Sequence, residues 1–63
     1  MTNQWKHDGV TYRKGDEVTL DVKWPGGRTT NVRGKLITIA DGEAFVDSQF
    51  GPVAGDLTTL ERA

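Results

Sequence analysis

Five aromatic side chains and a short run of cations are the groups in this chain best suited to recognising another molecule. Trp24 ends an alternating apolar run, and Phe50 stands in a stretch rich in turn residues, so both fall where a strand gives way to a loop. Aromatic rings at such places offer large, rigid contact area, and their faces attract cations. Asp47 would add a carboxylate beside them, with Tyr12 or Phe45 as a third wall. The expectation is a surface of Trp24, Phe50, Asp47 and Tyr12 that docks a protein partner, in its sharpest form as a cage for a methylated cation. The competing reading puts Trp24 in the core, because it continues the face of Val18, Leu20 and Val22.

A second candidate surface is basic. Arg28, Arg33 and Lys35 lie along a loop and the strand after it, with Arg33 and Lys35 on one face. Thr29, Thr30 and Asn31 supply neutral hydrogen-bonding groups there, so a weak nucleic-acid contact through phosphates is the alternative function. Three cations give only a small salt-dependent term.

Catalytic chemistry finds few players. His7 is the only histidine and Ser48 the only serine, far apart in the chain, and there is no cysteine. A nucleophile needs a base within reach, and a metal needs several ligands. Asp41, Glu43 and Asp47 are close in sequence but lack the density of a calcium loop. Gly26-Gly27-Arg28 has no phosphate-loop lysine and no helix after it. The expectation is therefore a non-enzyme with no metal and no cofactor.

These groups must be held by a small scaffold. With 63 residues the chain makes one domain, near the lower limit for folding without staples, and it has no cysteine for disulfides. The net charge is −1, unlike the basic domains that grip nucleic acid non-specifically. The charge is unevenly spread. Residues 1–35 hold seven Lys or Arg against four Asp or Glu, and residues 36–63 hold one against five, so the halves are oppositely charged. No apolar run is long enough to span a membrane and no signal-peptide stretch opens the chain, so a cytoplasmic site is expected. Starting at Met1, the chain reads as a whole small gene product.

Turn dipeptides mark the elements. Asp8-Gly9 and Asp41-Gly42 are signals for hairpin turns in which both central residues take positive φ. Gln4 to His7 and Val10 to Arg13 would flank the first of them. In Glu17 to Trp24, Val18, Leu20, Val22 and Trp24 alternate with polar residues, the period of a half-buried strand. Pro25-Gly26-Gly27 ends that strand. Thr30 to Ala40 reads as a second long strand whose alternation slips between Gly34 and Ile37, as at a bulge or sharp bend. Glu43 to Ser48 is a third strand, 49–55 reads as irregular, and 56–61 as a 3₁₀ turn with a short last strand. The expected core is Val18, Leu20, Val22, Val32, Leu36, Val46, Leu57 and Leu60, while Ile37, Ile39 and Phe45 lie off its faces as a second buried layer or a self-association patch.

Gly15-Asp16-Glu17-Val18, Val32-Arg33-Gly34-Lys35-Leu36 and Val53-Ala54-Gly55-Asp56-Leu57-Thr58-Thr59-Leu60 together resemble the SH3-like barrel superfamily, in particular its Tudor-like and KOW-like branches. They correspond to the entry into the first barrel strand, the bend of the second and the turn into the closing strand. The resemblance covers about residues 10–62 and implies an all-β, five-stranded SH3-like small barrel over 15–62, carrying an extra N-terminal β-hairpin over 1–13. The Gly-Asp entry and Thr59-Leu60-Glu61-Arg62 are also similar to the short type II dihydrofolate reductases, whose active pore forms between four barrels. Here Gln49-Phe50-Gly51-Pro52 replaces the catalytic strand, so a site shared between protomers of a homo-oligomer is the remotest of the three functional expectations.

Overall fold

The computed structural model describes residues 3–63. Strands β1 (Gln4–His7) and β2 (Val10–Arg13) form a hairpin about Asp8 and Gly9, whose φ values are 50° and 78°. Asp41 and Gly42, at 54° and 75°, make the equivalent turn between β4 (Thr29–Ala40) and β5 (Glu43–Ser48). Aspartate tolerates this left-handed region and glycine enters it freely, which is why these dipeptides place the turns.

The remaining strands are β3 (Glu17–Lys23), β6 (Gly51–Asp56) and β7 (Glu61–Arg62), with a 3₁₀ turn over Leu57–Thr59. Five strands form one antiparallel sheet in the order β6-β5-β4-β3-β7, beside the two-stranded β1-β2 sheet. The protein is all-β. The segment expected to be irregular, 49–55, instead supplies β6, which pairs with β5 from Glu43↔Asp56 to Ser48↔Gly51. Gly51, Pro52 and Gly55 hid it, since glycine and proline lower strand propensity; as an end strand β6 tolerates the missing N–H of Pro52.

The sheet is bent enough that β6 lies against β3, its neighbour three places away. At Gly55 the two elements approach so closely that a Cβ there would stand 2.5 Å from Leu20 Cδ1 and 2.8 Å from the Asp21 carbonyl oxygen. Between Leu36 and Thr38 the β4–β5 register shifts, leaving Ile37 as the extra residue. That single insertion returns Ile39, opposite Ala44, to the inner side, where it packs on the core, and leaves Thr38 paired with Phe45. Ile37 and Phe45 are half-buried.

The core comprises Tyr12, Val18, Leu20, Val22, Val32, Leu36, Ala44, Val46 and Leu60. Two members were not expected, Tyr12 and Ala44, and Leu57 is only partly buried against it. Each fully buried Val or Leu contributes about 1.5–3 kcal/mol of transfer free energy. The Cα radius of gyration is 10.8 Å, against about 10.6 Å for a compact chain of this length. No helix among the described residues is long and apolar enough to cross a membrane.

Candidate functional site

Where β3 runs out, the sequence Trp24-Pro25-Gly26-Gly27 folds back on itself. Gly27 N–H donates to the Trp24 carbonyl at 3.2 Å, and Gly26 takes φ 91°. Proline at the second position and a positive-φ glycine at the third are the signature of a type II turn. Trp24 N–H then donates to the Arg28 carbonyl at 2.6 Å, so the turn hands the chain to β4 with Arg28 at the rim. The Trp24 indole Nε1–H donates to Thr30 Oγ1 at 2.6 Å, which fixes the ring over the end of the sheet.

Phe50 reaches the same place from another turn. Ser48 Oγ accepts the Phe50 N–H at 3.1 Å and donates to the Gly51 carbonyl at 2.9 Å, clamping the loop between β5 and β6. Gly51 completes the turn with φ 88°. The Phe50 ring meets Trp24 edge to face, with centroids 5.7 Å apart and planes at 78°. Trp24 is half-buried and packs on the core, whereas Phe50 is 61% exposed and is the most exposed large apolar side chain among the described residues. The two readings of Trp24 are therefore compatible: one part of its surface closes the core and another faces a hollow.

That hollow has a volume of about 800 Å³. Trp24, Pro25, Val32 and Phe50 give it an apolar lining, and Arg28, Arg33, Asn31 and Gln49 bring polar groups to it. Arg33 is bound to Glu17, donating from Nε at 2.9 Å and from Nη2 at 2.5 Å. This bond and the guanidinium charge hold the Glu17 carboxyl below the usual carboxylate range. Asn31 Nδ2 donates to Asp21 Oδ1 at 3.1 Å, on the same outward row of the sheet.

The two candidate surfaces read from sequence thus partly merge. Trp24 and Phe50 of the first meet Arg28 and Arg33 of the second at one hollow. Three other candidates are not brought there. Tyr12 is 3% exposed in the core, with its hydroxyl 3.4 Å from the Leu60 carbonyl and the Arg62 guanidinium 5.7 Å from its ring centroid. It packs the β1-β2 hairpin onto the sheet and is no wall of a cage. Asp47 and Lys35 face one another across β4 and β5, outside the lining. Pro25 and Gln49 line the hollow without having stood out in the sequence, although each is the immediate neighbour of an aromatic that did.

A second hollow of about 350 Å³ lies where Asp21, Glu43 and Asp56 approach Lys23. Asp56 caps the 3₁₀ turn, accepting from Thr58 N–H at 2.9 Å and Thr58 Oγ1 at 2.8 Å, which lowers its pKa. No group of three His, Cys, Asp or Glu among the described residues is arranged to hold a metal ion. The chain matches no family model, no curated protein and no solved structure.

Proposed function

We propose that this protein is a non-catalytic interaction module built on an SH3-like barrel, and that it docks a segment of a protein partner in the hollow between Trp24 and Phe50. The observation that carries the binding reading is Phe50. A phenylalanine 61% exposed, clamped by Ser48 and set edge-on to a second aromatic, keeps apolar surface in water that the small core does not use. Rigid aromatic anchors in a concave patch with a polar rim are what concentrate binding energy at protein interfaces. The barrel reading draws on the bent sheet that brings Gly55 onto Leu20, the 3₁₀ turn before β7, and the Gly15-Asp16 entry into β3.

The test separates binding from folding. In a pull-down with the intact protein as bait, Phe50→Ala loses the captured partner while its thermal midpoint stays within about 4 °C of the parent, since exposed substitutions cost within about 0.5 kcal/mol. Retention of the same partner by Phe50→Ala removes the hollow as the docking site.

A second reading has its own observation: Arg28 and Arg33 share the hollow with the two rings, and aromatic faces beside cations also suit single-stranded nucleic acid. Nuclease treatment before the pull-down decides between them. Capture that vanishes with nuclease, and fades steeply with salt, belongs to nucleic acid.

A further inference from the structure

The walls of the hollow carry a sign that the docking reading does not use. Two guanidiniums line it and no carboxylate does. Arg33 is already neutralised by Glu17, the one ion pair among the described residues. Arg28 is exposed and enters no ion pair among them. Held at the rim by the Trp24–Arg28 backbone bond, its charge stands beside the apolar floor with nothing of opposite sign on the lining. A cationic occupant, including a methylated lysine, would meet the uncompensated charge of Arg28 and find neither Asp47 nor Tyr12 there to help it.

The neutral groups narrow the choice further. The Trp24 indole N–H is taken by Thr30, so the ring offers its surface and not its donor. Gln49 is exposed on the lining, with an amide that can pair with a peptide backbone. We propose, resting on the docking reading above, that the occupant is an acidic segment of a partner protein. An aromatic or aliphatic side chain sits against Trp24 and Phe50, and a nearby carboxylate pairs with Arg28. Such a carboxylate accepts two parallel N–H bonds from a guanidinium, which an amide of the same shape cannot match. Nucleic acid is the weaker match on the same facts. Each phosphate wants a cation, Lys35 lies outside the lining, and the whole chain carries −1.

The experiment uses the intact, ¹⁵N-labelled protein and three soluble hexapeptide libraries. Each has one central leucine or tryptophan anchor, flanked by glutamate in the first, glutamine in the second and lysine in the third. The Trp24 indole resonance and the Phe50 amide resonance report occupancy. The glutamate library is expected to shift both at concentrations about tenfold lower than the glutamine library, the scale of one charge-assisted bond, with the lysine library weakest. Arg28→Gln, an exposed rim substitution, should abolish the difference between glutamate and glutamine while both still bind. If glutamine binds as well as glutamate, or Arg28→Gln keeps the preference, the acidic-segment proposal is overturned and docking itself stands. If no library of any charge shifts either resonance, docking has failed and this proposal with it. Tighter, salt-sensitive shifts from oligothymidylate than from any peptide would overturn it in favour of nucleic acid.

Discussion

Protonation reaches the wall of the hollow through one residue, Glu17. Its carboxyl accepts from Arg33 and is held below the usual range first by that hydrogen bond, then by the guanidinium charge, with Lys35 adding to it. In the unfolded chain the same group titrates in the ordinary glutamate range. The unfolded state therefore takes up the proton first as pH falls. The contribution of this pair is present in full above the ordinary glutamate range and is lost as the solution is acidified through and below it. Both partners are exposed, so the effect is small. Thermal melts of the wild type and Glu17→Gln should differ above about pH 5 and converge towards pH 3. A gap that widens on acidification would contradict the pairing. Freed of Glu17, Arg33 would add a second unpaired charge to the hollow, so Glu17→Gln should also bind an acidic peptide more tightly at neutral pH.

At the scale of elements, Gly34 governs how β4 meets β5. It pairs with Ser48, and a Cβ built on it would lie 2.6 Å from the Asp47 carbonyl oxygen and 3.0 Å from its carbon. Those atoms are backbone and cannot swing aside, so Gly34→Ala must push the strands apart. A loss of about 1–3 kcal/mol is expected from such overpacking, read as a lower urea midpoint at unchanged slope. Because Ser48 also clamps the Phe50 turn, the surviving folded fraction should bind partner less well. An unchanged midpoint would mean that the bend has slack. The importance of this stretch is legible in the sequence, because the apolar alternation breaks between Gly34 and Ile37. What the break meant was not legible. A bulge and a change of face produce the same local pattern, and only the pairing of Leu36 with Val46 and Ile39 with Ala44 shows that Ile37 is the inserted residue. Strand β6 was hidden for a different reason: Gly51, Pro52 and Gly55 read as loop, although Gly55 is there because Leu20 leaves no room for a side chain.

Over the whole molecule, strands and turns were readable because they rest on local rules, alternation and positive φ, whereas the hollow depends on which distant turns meet. Trp24 and Phe50 are far apart in sequence and their rings meet; Tyr12 lies in the core, which a strand of four residues gives too little pattern to reveal. The burial of Tyr12 bears directly on stability. The β1-β2 hairpin forms its own sheet, and it joins the rest through Tyr12 in the core, Trp5 packed on it, and Arg62 reaching the Thr11 carbonyl. Truncating a buried aromatic costs about 3–5 kcal/mol, and a domain of this size has about 3–5 kcal/mol in all. Tyr12→Ala should therefore be largely unfolded at room temperature by circular dichroism. Tyr12→Phe keeps the ring and gives up only a long 3.4 Å hydrogen bond, so it should fold and lose at most about 1 kcal/mol. The pair of variants distinguishes a hairpin that completes the core from one that merely decorates it: if Tyr12→Ala melts with the parent, the hairpin is an appendage, and the sheet must hold itself together without its largest buried ring.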